Sequence, residues 1–148
     1  MKLDAIFVPA GGGEQLNILG TTHITKIAPE DTQGAFTAIE IAIPPECGPP
    51  MHSHDADSEF FYILEGTLTL SDPDGERQAG PGDFCFLRAG GSHAFRNNTQ
   101  EVVRALVVVS PGVDTHRFFT QVDEALDGAV DVPVVVDIGG RNGIHIAA

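Results

Sequence analysis

The sequence predicts an all-β fold, a sandwich or barrel, followed by one short C-terminal helix. Three observations point to it. The 148 residues include 17 Gly and 10 Pro, a turn-rich composition. Short segments rich in β-branched and aromatic side chains recur about every ten residues, with turn signals between them. Only one segment, roughly 114–126, carries apolar residues at helical spacing: Phe118, Phe119, Val122 and Leu126.

Taken in order, the first 20 residues hold two apolar pieces, Ala5 to Val8 and Leu16 to Leu19, separated by Gly11-Gly12-Gly13 and read as edge strands or loosely held arms. Residues 35–43 form a β-branched strand that Pro44-Pro45 stops. After a Gly/Pro/polar stretch, EFFYILEG is a strong strand, and TLTL follows the Gly66 turn. Ser71-Asp72-Pro73-Asp74-Gly75 has hairpin chemistry, with Pro and Asp to start the turn and Gly to supply positive φ. Strands are expected near 76–79, 83–87, 93–97 and 102–109. Asp114 is the expected N-cap of the helix. The tail VPVVVDIGG reads as a last strand, with Pro133 confining it to an edge or to its own start. No repeat or low-complexity linker divides the chain. The expectation is one domain over 1–148, with a core barrel over about 15–110 and a helix and tail over 111–148.

Composition excludes several functions. Apolar residues make up 42%, as in a folded globular protein. Eight Lys+Arg against 21 Asp+Glu give a net charge of −13, which repels phosphate backbones and anionic lipid, so neither nucleic acid nor membrane is an expected partner. The two cysteines, Cys47 and Cys85, form no CxxC motif and too few pairs for a disulfide framework. The N-terminal apolar stretch is too weak for a signal peptide, and no apolar run is long enough to cross a bilayer. The expected setting is the cytoplasm. In Glu59 to Leu64 both strand faces are apolar, as they are in Val102 to Val109 apart from Arg104. Something must cover the second face. An internal second sheet would do so; the sequence favours a homodimer.

The chemistry concentrates in Gly48-Pro-Pro-Met-His52-Ser-His54-Asp-Ala-Asp-Ser-Glu59. In an extended segment His52 and His54 leave the same face and can converge on one ion. Pro49-Pro50 lowers the entropy cost of holding them. Glu59 opens the strongest strand and can return a carboxylate to the same point. The competing reading is a solvated polar loop; Asp55 and Asp57, beside the candidate ligands, are read as solvated loop charges. The rigid entry and the strand behind Glu59 favour a metal. His93, after a Gly-rich turn and ahead of Phe95 and Asn97, can supply a fourth ligand.

These segments resemble the two motifs of the cupin superfamily, in particular the small single-domain, quercetin dioxygenase-like cupins. Gly48-x3-His52-x-His54-x4-Glu59-x6-Gly66 looks like the first motif, with three residues before its first His where the family usually has five. Gly82-x5-Arg88-x-Gly90-x2-His93-x3-Asn97 looks like the second, with Arg88 where the family usually has Pro. The resemblance covers about 35–110. It implies a double-stranded β-helix, the jelly-roll cupin barrel, and one divalent transition metal held by His52, His54, Glu59 and His93.

Three imidazoles and one carboxylate suit iron, manganese, nickel, cobalt, copper or zinc, and affinity order does not choose among them. Two positions of an octahedral ion stay open for a substrate oxygen and O2 or water. Oxygenation of an aromatic or enolic small molecule fits such a site, with Glu59 as a catalytic base. Met51, Phe61 and Phe95 are candidate pocket walls, together with Ile63, Phe84 and Phe86. Arg104, with Arg88 and Arg96, is a candidate grip for a carboxylate substrate. The alternatives are an isomerase or lyase on a sugar or keto acid, and a non-catalytic metal-dependent small-ligand-binding protein, because a fold alone does not fix a reaction.

Overall fold

A computed structural model describes residues 4–147. Residues 1–3, which open the segment read as too weak for a signal peptide, lie outside the described residues. The elements run β1 (Glu14–Ile18), β2 (Thr21–Ile27), β3 (Thr37–Ile43), β4 (His52–His54), β5 (Ser58–Glu65), β6 (Leu68–Asp72), β7 (Gly75–Ala79), β8 (Phe84–Leu87), β9 (Ala94–Arg96), β10 (Val103–Ser110), α1 (Val113–Leu126), α2 (Val132–Arg141) and β11 (Ile144–Ile146). One sheet has the order β1-β2-β3-β10-β5-β8, a second the order β7-β6-β9, and β4 pairs with β11. Every pairing is antiparallel. The crossovers between non-consecutive strands roll the chain into a double-stranded β-helix.

Period-two alternation builds the interior. Ile39, Ile41 and Ile43 of β3, Phe61 and Ile63 of β5, and Val103, Ala105, Val107 and Val109 of β10 point inward and meet Leu68 of β6. Each large side chain of this set stabilises the fold by about 1.5–3 kcal/mol. The hairpin expected at 71–75 joins β6 to β7: Asp72 pairs with Gly75, and the Asp72 carboxylate accepts the Asp74 N–H at 2.8 Å. Gly48 is required by close approach as well as by φ. Its φ is 148°, and a Cβ there would stand 2.0 Å from the Phe95 carbonyl oxygen.

A second cluster lies against the barrel. Phe118 and Val122 of α1 and Val135 and Ile138 of α2 pack with Leu16 and Ile18 of β1 and Ile144 of β11. The helical stripe read from the sequence is thus the buried face of α1.

Three local expectations are corrected. Residues 132–140 are helical, not extended. Asp131 caps this helix by accepting the Val134 N–H, and Pro133 sits in the first turn, where its missing N–H costs nothing. Burial of Val135 and Ile138 one turn apart then outweighs the β-propensity of the valine run. Asp114 is not the N-cap of α1. The cap position is Gly112, and Asp114 pairs with Arg117 at 3.3 Å in the first turn. Of the two readings of Ala5 to Val8, edge strand or arm, the strand falls away.

The outer face of the large sheet is where the two-faced strands lead. Phe60 and Tyr62 of β5 pair in register with Val108 and Leu106 of β10 and with Phe86 and Phe84 of β8, and Leu64 follows them on the same face of β5. Phe84 is 60% exposed, Phe86 51% and Tyr62 41%. Among the described residues no second layer covers them. No described helix is long and apolar enough to cross a membrane.

Candidate metal centre and its cavity

β4 is extended, so His52 and His54 leave it on one side. Two neighbours hold the strand. His52 and His93 exchange both backbone hydrogen bonds, at 2.9 and 2.8 Å, and β11 pairs along the other edge. Glu59, inward on β5, completes a group with His52, His54 and His93. Each of the four offers one ligand atom, and these atoms lie within 4.8 Å of one another. The sequence placed all four in two motifs; the fold brings them together.

The hydrogen bonds around the imidazoles set their tautomers. The His52 Nδ1 lies 2.9 Å from the Pro50 carbonyl. A carbonyl only accepts, so Nδ1 carries the proton and Nε2 is left bare. The His54 Nδ1 lies 3.0 Å from the Thr115 Oγ1, and that hydroxyl donates to the Asp57 Oδ2 at 2.6 Å. With its one proton given to Asp57, Thr115 accepts from His54, which again leaves Nε2 bare. Nε2 of His54 and both ring nitrogens of His93 are buried with no aligned hydrogen-bond partner among the described residues. His93 Nε2 nonetheless stands 2.7 Å from Glu59 Oε1, and His54 Nε2 stands 3.9 Å from the same oxygen. Two bare imidazole nitrogens, the His93 ring and a carboxylate thus converge on one point in a buried place, where unpartnered polar atoms are costly. These residues fit a bound divalent cation.

Charge states agree with that fit. Burial lowers the His52 pKa to about 4, reinforced by His93 and opposed by the Pro50 carbonyl and Glu59. Burial also lowers His54, against the pull of Glu59. Both rings are therefore neutral at pH 7, as metal ligation requires. Burial alone would raise the Glu59 carboxyl. The close contact with His93 and the neighbouring His54 and His52 together outweigh it and hold Glu59 below its ordinary value, as a carboxylate.

The group opens onto a cavity of about 330 Å³, within the size range of small-molecule sites. Ile39, Ile41, Phe61, Phe95, Phe118 and Phe119 supply much of its wall. Phe61 and Phe95 both line it, with ring centroids 5.1 Å apart. Met51 and Arg104 do not line the cavity. Arg104 projects from the opposite face of β10 and binds Glu40 and Glu65. Its neighbour Ala105 faces the core, so strand parity sends the guanidinium outward. Phe84 and Phe86 also lie outside, and Arg88 stacks on Phe86 at 5.4 Å.

Sequence reasoning missed Asp57 and Thr115. Asp57 is not a solvated loop charge: it is 4% exposed and accepts from Gly112 N, Thr115 N and Thr115 Oγ1. It caps α1 and, through Thr115, orients His54. Only the Asp identity was visible; its partner lies 58 residues away.

The family model for the cupin domain matches residues 39–109, a span that contains all four clustered side chains. Quercetin 2,3-dioxygenase of Bacillus subtilis (strain 168) is 27% identical over 121 residues, 82% of this chain and 35% of that protein. An oxalate-binding protein of Thermotoga maritima is 30% identical over 67 residues, 45% of this chain and 55% of that protein. The chain thus spans between a third and a little over half the length of these two relatives. Among solved structures, the polyketide cyclase RemF of Streptomyces resistomycificus superposes with a TM-score of 0.64 at 26% identity, covering 72% of this chain and 80% of its own.

Proposed function

The chain belongs to the cupin superfamily, and from that premise we propose that it is a metal-dependent dioxygenase of a small aromatic or enolic molecule. His52, His54, Glu59 and His93 hold one divalent transition metal in this reading. The observation that carries it is the juxtaposition of that four-residue group with a predominantly apolar cavity. When bound, the ion supplies a Lewis-acidic, redox-capable centre with coordination positions left free. The protein's own residues do the rest. The cavity wall excludes water and stacks on flat apolar rings. Thr115 and the Pro50 carbonyl fix the two β4 histidines. Glu59 takes the proton from the enol or catechol hydroxyl of the substrate.

The cavity argues against the alternatives that need a charged grip. Arg104 is committed to Glu40 and Glu65, and neither Arg88 nor Arg96 lines the space, so a sugar acid or keto acid finds no guanidinium there. The B. subtilis relative named for quercetin supports the same choice.

The reading extends to setting and assembly. The two free cysteines suit the reducing cytoplasm. A second copy of the chain covers the aromatic face of β5, β8 and β10, whose centre carries no charge from Phe60 across to Val108.

Metal analysis of the purified protein, then oxygen uptake by the iron-loaded form with flavonols, catechols and β-diketones, tests the proposal. Uptake stoichiometric with loss of one of these compounds is expected. No uptake with any of them overturns the dioxygenase and leaves an isomerase, a lyase or a binding protein.

A further inference from the structure

On the wall of the same cavity, three strands from that of Glu59, stands a polar side chain with no assigned work. His23 lies on β2, inward-facing and in register between Leu16 of β1 and Ile41 of β3. In the sheet order β2 is three strands from β5, about 14 Å along the sheet surface at ordinary strand spacing. The ring is 6% exposed and lines the cavity. It meets the Phe119 ring edge-on, with centroids 4.5 Å apart. Its Nδ1 is buried with no hydrogen-bond partner among the described residues. A structural core histidine has its nitrogens satisfied by the fold; this one has a buried nitrogen without a partner among the described residues, and its ring borders the cavity.

We propose that His23 is a specificity-determining residue that hydrogen-bonds a hydroxyl of the substrate at the end remote from the metal ligands. This deepens the dioxygenase reading and rests on it. The substrate class narrows to a flat, largely apolar enol that carries a second hydroxyl on a distant ring. Burial lowers the His23 pKa to about 4, against the pull of Glu59, so the imidazole is neutral at pH 7 and offers one N–H and one lone pair. It can therefore serve a hydroxyl in either sense, and it brings no charge into the apolar space. The same orphan nitrogen weakens the free protein, as groups arranged for a ligand do.

The experiment uses the metal-free full chain with two probes, quercetin and 3-hydroxyflavone. Both carry the same enolic head; only quercetin has hydroxyls on its outer rings. The wild type is expected to bind quercetin about three- to tenfold more tightly, the size of one hydrogen bond. His23→Leu is expected to abolish that preference while keeping affinity for 3-hydroxyflavone, and His23→Gln to restore part of it. The thermal midpoint of free His23→Leu is expected to hold or rise, because an apolar side chain replaces an unpartnered polar one. Equal binding of the two probes by the wild type overturns the proposal. So does a preference that survives in His23→Leu, or a midpoint several degrees lower in that variant, which would mark a structural histidine. Failure of the wild type to bind either probe overturns the enolic-substrate reading itself, and the role of His23 with it.

Discussion

The Thr115 hydroxyl stands 3.0 Å from the Nδ1 of His54, and this contact ties the first turn of α1 to the candidate metal centre. Because Thr115 also donates to Asp57 at 2.6 Å, the carboxylate, hydroxyl and imidazole form one chain that presents the bare His54 Nε2. Thr115→Val and Asp57→Asn are expected to weaken metal affinity about 10–100-fold, the usual cost of losing such support behind a ligand. Competition with a chromophoric chelator measures it. Affinity unchanged in both variants would mean that the contact does not orient His54.

Removing a ligand outright should do more. His54→Ala leaves three of the four donors, and metal content after dialysis is expected to fall from one ion per chain to a small fraction of that. Elemental analysis reads the result. Full occupancy in the variant would return the two β4 histidines to the role of loop residues.

Acid should destabilise the metal-free protein through His23. Its pKa is about 4 in the fold and near 6.5 in the open chain, so between these values the unfolded state binds more protons. Stability is fully present above pH 6.5 and falls as pH drops toward 4, at up to about 1.4 kcal/mol per unit for this residue. Denaturant midpoints from pH 7 to pH 4 should show a shallower decline in His23→Leu than in the wild type. Parallel declines would contradict the shift.

The aromatic face of the large sheet predicts an assembly. Each chain weighs 15.6 kDa, and light scattering at micromolar concentration should give about twice that mass. Phe84→Glu, at the most exposed of these rings, is expected to restore the single-chain mass without loss of fold, since it introduces a charge only where a partner would bury it. A wild-type mass equal to one chain would remove the dimer.

The barrel was legible because its signals are local. β-branched runs, Pro-Pro stops and the Asp72–Gly75 turn each act within a few residues, and the His52/His54 pair follows from strand parity. The clustering of His52, His54, Glu59 and His93 was legible because their motifs state both residue type and spacing. Other features depend on distant partners. The valine run at 132–136 becomes helical because α1, β1 and β11 receive its side chains. Asp57 becomes a cap and an orienting group only when residues 112–115 arrive beside it. Arg104 was misplaced because both faces of β10 are apolar in sequence, and parity alone cannot say which of them looks inward. His23 gave no signal in sequence because what distinguishes it is a hydrogen bond the fold leaves unmade.

The pairing of β4 with β11 sets an order of events. Asp55 and His145, which clasp the two strands at 2.9 Å, are 90 residues apart in the chain. A nascent polypeptide that has emerged only through β10 holds every ligand residue yet has one edge of their supporting strand bare. Capture of a cation by this group would then be a late step of maturation, and a chain interrupted before residue 144 would carry all four side chains without the brace that keeps two of them in place.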